Sequence, residues 1–158
     1  MPRASFSHSV ELARPSNEVW EVLQDAATWS GIGPVDDVWE PSHAADGTLE
    51  SFQWSAHVGP TKYKGTAVVA VADGPRHMKL NLDSSEVKGS LVADINGDTS
   101  PSLAVTLEVV SKGPMASLFF PIISEAIGRG LPEQVERFAD LINQDVPPGA
   151  DAPRLEPL

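Results

Sequence analysis

Residues 114–142 read PMASLFFPIISEAIGRGLPEQVERFADLI, a helical segment with a strongly apolar first half. Met115, Leu118, Phe119, Ile122, Ile123 and Ala126 fall at i, i+3, i+4, i+7, i+8 and i+11, the spacing that gathers side chains on one helical face. Such a face needs a partner. Almost everything before it, from Val35, reads as strand and turn, so the partner is a sheet and the segment is one long helix laid across it.

The strands are read from alternation. Phe6, His8, Val10 and Leu12 alternate with Ser7, Ser9 and Glu11, the period of a half-buried strand. Ser16 is placed to cap a short helix over residues 17–24, with Val19, Trp20 and Leu23 on one face and Glu18 at its positive end. A second helical turn covers residues 26–30. Gly31, Gly33 and Pro34 stop it, and residues 35–40 are extended despite Asp36 and Asp37. Phe52, Trp54, Ala56 and Val58 then face one way, and Gly59-Pro60 ends their strand. Residues 62–72 follow, bounded by Asp73-Gly74-Pro75. Met78, Leu80 and Leu82 form the next apolar face, then Val87, Gly89, Leu91, Ala93 and Ile95 as far as the hairpin signal Asn96-Gly97. Leu103, Val105, Leu107 and Val109 close the series. Short turns require antiparallel pairing, so these strands form a meander with the first strand at one of its edges.

Composition sets the class. The chain has 158 residues, the size of one domain, with 22 acidic and 11 basic residues and a formal net charge of -11. That balance opposes phosphate backbones and anionic membrane surfaces, so nucleic acid is not an expected partner. There is no cysteine, which removes disulfides, thiolate catalysis and cysteine zinc sites. Residues 1–11 lack an apolar signal core and no stretch approaches about 20 apolar residues, so a cytoplasmic protein without stable membrane insertion is expected. Residues 1–143 are expected to form the domain, and the polar, proline-rich residues 144–158 a disordered tail.

The element order is that of the helix-grip fold, and two stretches carry a closer likeness. VELARPSNEVW, residues 10–20, followed by Leu23, Asp25 and Trp29, resembles the opening of the START-like superfamily, also called SRPBCC. VGPTKYKG, residues 58–65, is similar to the subgroup containing the carbon monoxide dehydrogenase G family and polyketide-cyclase-like proteins. The resemblance covers residues 6–142. It implies an α+β helix-grip fold of the START-like or Bet v 1-like kind, with a curved antiparallel sheet of about seven strands, two short helices and a long kinked C-terminal helix. It also implies a cavity between sheet and helix.

The residue pattern points to the same place. Phe52, Trp54, Met78, Leu80, Leu82, Leu91, Ala93, Phe119, Ile122 and Ile123 belong to the faces that must meet, as core or as cavity lining. Tyr63, the single tyrosine, alternates with Lys62 and Lys64, which turns its ring inward and leaves its hydroxyl in need of a partner. His8 shares the inward face of its strand, as a hydrogen-bonded core residue or a ligand contact. The ligand-binding candidates are therefore Phe52, Trp54, Tyr63, Met78, Leu80, Leu91, Phe119, Ile122, Ile123 and His8. His43, His57 and His77 form no metal-ligand spacing, so no metal, cofactor or catalytic residue is assigned.

Three functions are compatible with these residues. A carrier or binder of a lipid- or polyketide-like hydrophobic molecule, monomeric or homodimeric, needs the cavity alone. A cyclase or dehydratase would also need proton-transfer groups, and WSGIGPVD at residues 29–36 departs from the tryptophan-proline and acidic-aromatic pattern of the superfamily's aromatase/cyclases. An accessory protein is what the likeness to the carbon monoxide dehydrogenase G family implies. Pro121 and the stretch 128–132, with Gly128, Gly130 and Pro132, should interrupt the closing helix as a fixed kink or a hinge. The apolar positions Val135, Phe138 and Ile142 are out of phase with the first half by roughly 150°.

Overall fold

The computed structural model describes residues 3–30, 35–58 and 61–144. In chain order these form β1 (Arg3–Glu11), α1 (Ser16–Leu23), a 3-10 turn (Ala26–Trp29), β2 (Val35–His43), β3 (Leu49–Val58), β4 (Thr61–Asp73), β5 (His77–Ser84), β6 (Val87–Asn96), β7 (Ser102–Ser111) and α2 (Pro114–Gln144). The expected stops at Gly31, Gly33, Pro34, Gly59 and Pro60, and residues 145–158 of the expected tail, lie outside the described residues.

All seven strands pair in one antiparallel sheet of order β1-β7-β6-β5-β4-β3-β2. Strands β2 to β7 follow each other as the meander that short turns dictate. The first strand completes the sheet beside β7, with Phe6 opposite Leu107, His8 opposite Val105 and Val10 opposite Leu103. The curved sheet and its long covering helix make the helix-grip α+β fold expected from the sequence.

Strand β2 forms in spite of its two aspartates because it is an edge strand, where one row of backbone groups stays in water. Its register slips between Val35 and Asp37 and twice between Trp39 and His43, and Glu40 adopts a left-handed φ of 52°. Such bulges twist an edge away from further pairing.

At α1, Ser16 is the first helical residue rather than the cap, and Pro15 takes the capping position with no side-chain hydrogen bond. The Ser16 backbone N–H donates instead to the Asp98 carbonyl at 2.7 Å, and Leu12 N–H donates to the Pro101 carbonyl at 2.9 Å. The loop between β6 and β7 thus supplies the acceptors. It starts at the predicted Asn96-Gly97, where Gly97 has the positive φ of 108° that favours glycine. The 3-10 turn is capped by Asp25, whose carboxylate accepts from Ala27 N–H at 3.0 Å.

Helix α2 is helical throughout its 31 residues, with Pro121 and Pro132 inside it, so it does not restart at residues 128–132. Among its described side chains the buried ones are Phe120, Ile127, Leu131, Val135, Ala139 and Ile142. This is the phase of the second half carried back to Phe120. Of the face expected from the first half, the described Leu118 and Ile122 are turned outward, 70% and 53% exposed. Gly128 shows what fixes this phase, because a Cβ there would stand 3.0 Å from Cε1 of the Phe6 ring. Losing helix propensity at Gly128 lets β1 come close. The helix accordingly runs nearest to β1, then β7, and touches β3. Among the described residues no helix is long and apolar enough to cross a membrane.

Candidate functional site

The register of the sheet assembles the inner face row by row. Val69, Leu80, Leu91, Leu107 and Phe6 lie side by side across five strands. The next row towards the β5–β6 turn is Phe52, Ala67, Leu82, Gly89 and Val109. Beyond it Trp54 faces Gly65, and Gly65 faces Ser84. On the other side Met78, Ala93, Val105 and His8 are neighbours. Small residues, Gly65, Ala67, Gly89 and Ala93, thus occupy the middle of the inner face. They let the sheet coil tightly, and the bulge between Val69 and Val71 adds to the bend.

Six of the sequence candidates meet on this surface. Phe52, Trp54, Tyr63, Met78, Leu80 and Leu91 are all buried, Met78 and Leu80 completely. Ile122 and His8 do not join them. Ile122 points outward on α2, since the buried phase of the helix is set by Gly128 against Phe6. The side chains of Phe119 and Ile123 lie outside what the structure describes. His8 starts on the inner face, but its Nε2 reaches the Glu136 carboxylate at 2.7 Å, with 28% of the side chain exposed. It clasps β1 to α2 at the rim rather than facing the interior.

Two aromatic groups bring polarity to the inner face. Tyr63, buried, and Trp54 are diagonal neighbours on β4 and β3, because Ala56 pairs with Tyr63 and Trp54 with Gly65. Burial, then the nearby Glu86 carboxylate, push the Tyr63 phenol above its ordinary value of 10.0. It stays a protonated donor through the physiological range. The Trp54 indole lies over Gly65, where a Cβ would stand 2.6 Å from Cζ2 and 2.8 Å from Cε2. Glycine is therefore required under the ring.

Elsewhere the polar groups are engaged with one another. Ser84 Oγ donates to the Val87 carbonyl at 3.0 Å and accepts from Val87 N–H at 3.1 Å. The Ser111 and Ser117 hydroxyls are 2.8 Å apart. Three histidines pair with carboxylates that linear spacing does not reveal. Besides His8 with Glu136, His57 pairs with Asp36 and His77 with Asp94, each pair across adjacent strands on the outer face. His43 Nε2 lies 3.0 Å from the Gln24 carbonyl. Among the described residues no three His, Asp or Glu side chains converge as a metal site would need.

A second concave feature carries no signal in the sequence. Leu23, Thr28, Trp29, Leu103, Val105, Val135 and Phe138 line a shallow apolar cleft with a volume of about 10 Å³, open to solvent, between α1, β7 and the second half of α2. Its polar groups are satisfied, Thr28 Oγ1 donating to the Val22 carbonyl at 2.6 Å and Trp29 Nε1 to the Leu23 carbonyl at 3.0 Å. The cleft is smaller than ligand sites generally are.

Comparison with solved structures identifies the fold. No protein-family model matches the sequence, and no curated protein does. Solved structures do match. A START superfamily protein from Mycobacterium smegmatis superposes with a TM-score of 0.58 at 19% identity, over 84% of this chain and 97% of that one. The Zhui aromatase/cyclase from Streptomyces sp. R1128 gives 0.57 at 18% identity over 86% and 95%. A polyketide-cyclase-like protein from Corynebacterium glutamicum gives 0.54 at 16% identity over 92% and 93%. The chain has the START-like, SRPBCC fold.

Proposed function

We propose that this protein binds a hydrophobic small molecule, lipid- or polyketide-like, between the inner face of β3–β6 and the first half of α2. One observation carries the reading. The inner face is apolar and buried, with Ala67, Met78 and Leu80 at 0% exposure, yet the helix that grips the sheet makes its close approach at β1 and β7. The side chains beneath the other half of the sheet then close over a space that a ligand can share. START-like neighbours support the reading by their architecture.

Binding is favoured over catalysis by the polar groups at hand. Among the described residues the buried polar side chains are Ser16, Ser55, Ser84 and Ser111, together with the Trp54 indole and Tyr63 phenol. These can orient a molecule, and none is tuned to exchange protons near neutral pH. The likeness to the carbon monoxide dehydrogenase G family is one of short sequence stretches and supports an accessory role less directly.

Native mass spectrometry of the purified protein, with organic extraction of the same sample, tests the proposal. A stoichiometric hydrophobic molecule released on unfolding is the expected result. A protein that carries none and takes up no neutral fluorescent probe such as N-phenyl-1-naphthylamine would refute it.

A further inference from the structure

The inner face contains one hydrogen-bond donor that the fold leaves unused. Trp54 is 5% exposed, and its Nε1 is buried with no hydrogen-bond partner among the described residues. A buried indole N–H ordinarily finds an acceptor, as Trp29 does, because an unpaired donor forfeits its hydration without return. Phenylalanine would avoid the cost and is used two residues earlier on the same face, at Phe52. The ring is also held in place rather than loosely packed, since Gly65 clears the space on which its N–H edge lies.

The surroundings define what could accept from it. Tyr63, the diagonal neighbour, offers a second neutral donor, while the Ser84 hydroxyl is occupied by Val87. No lysine, arginine or histidine is among the described buried residues, and the Glu86 carboxylate acts on the Tyr63 phenol. An anion brought here would lose its hydration without gaining a counter-charge from the described buried side chains. A neutral oxygen with two lone pairs has neither difficulty.

We infer that Trp54 Nε1–H, with the Tyr63 hydroxyl beside it, is the polar anchor for a neutral carbonyl oxygen, that of a ketone, ester or amide, on an otherwise apolar ligand. The anchor selects such molecules over hydrocarbons and over free fatty-acid carboxylates. This rests on the proposal that the inner face binds a hydrophobic molecule.

Displacement of N-phenyl-1-naphthylamine by 2-undecanone, undecane and undecanoate, in the wild-type chain and in Trp54→Phe, separates the two ideas. The wild type should bind the ketone about five- to tenfold tighter than the alkane, the worth of one neutral hydrogen bond, and tighter still than the carboxylate. In Trp54→Phe the preference for ketone over alkane should shrink towards unity, whatever the lost ring area does to the affinity of both. Equal binding of ketone and alkane by the wild type, or an unchanged preference in the variant, would overturn the anchor and leave the carrier proposal standing. Failure of all three molecules and of the dye to bind would remove both. Should the variant not fold, the wild type gives a second readout through the NMR signals of its four tryptophan indoles. One indole N–H should move downfield with 2-undecanone and not with undecane, and four signals responding alike to both would overturn the inference.

Discussion

The Phe6 ring rests against the backbone of Gly128, so that a Cβ on that glycine would lie 3.0 Å from Phe6 Cε1. Two residues on, a Cβ at Gly130 would have as its nearest neighbour Gln134 Nε2, at an ordinary 3.4 Å and on a flexible side chain. Alanine favours a helix interior over glycine by about 0.8–1 kcal/mol. Gly130→Ala should therefore stabilise the protein by about 0.5–1 kcal/mol. In Gly128→Ala the same gain is offset by displacement of Phe6, so its stability should fall below that of Gly130→Ala. Urea denaturation of the two variants checks this, and equal stabilisation would show that Phe6 does not set the seat of the helix.

The phase of α2 makes a second prediction. Leu131 is completely buried, whereas Leu118 and Ile122 are mostly in water. Truncating a buried leucine removes its transfer energy and leaves a cavity, at a cost of about 2–5 kcal/mol. Leu131→Ala should lose that much in chemical denaturation, while Leu118→Ala and Ile122→Ala should stay within about 0.5 kcal/mol of wild type. The apolar periodicity of the first half taken alone demands the opposite ranking.

These residues also show where the sequence is readable. The alternation of Phe52 with Trp54 and of Met78 with Leu80 survives folding because a strand's period of two is set by its backbone, whereas the choice of β7 over β2 as the edge that β1 joins is not written in any local pattern. In α2 two competing apolar phases lie on one segment, and the choice between them depends on Phe6 meeting Gly128 from the far end of the chain. The histidine–carboxylate pairs and the unpaired Trp54 N–H are hidden for the same reason. Each depends on register or helix docking, which no local pattern records.

Tyr63 can be observed alone because it is the single tyrosine in the chain. Burial and Glu86 raise its pKa, so ultraviolet titration of the phenolate should show a midpoint above 10.0, moving down in Glu86→Gln and on unfolding. The sign of the linkage follows. A group whose folded pKa is raised contributes stability that is fully present below the unfolded value and is lost as pH rises through the folded one. Denaturation measured across the alkaline range should therefore show a loss of stability above pH 10 that is smaller in Tyr63→Phe. A midpoint at or below 10.0 would place the phenol in water and remove it from the inner face.

The two buried indoles, Trp29 and Trp54, offer a comparison at nearly constant change in shape. Both rings are at least 95% buried, but Trp29 Nε1 donates to the Leu23 carbonyl at 3.0 Å while Trp54 Nε1 has no partner among the described residues. Replacing either by phenylalanine removes similar apolar volume. At Trp29 it also strands the acceptor that ties the 3-10 turn to α1, adding about 1–3 kcal/mol. At Trp54 it removes a donor whose desolvation was uncompensated, which returns part of the packing loss. In the ligand-free protein Trp29→Phe should therefore be the more destabilising by about 1–2 kcal/mol, read from denaturation midpoints at equal slopes. Adding a carbonyl-bearing ligand should narrow the difference, because wild-type Trp54 then gains the partner its variant cannot use.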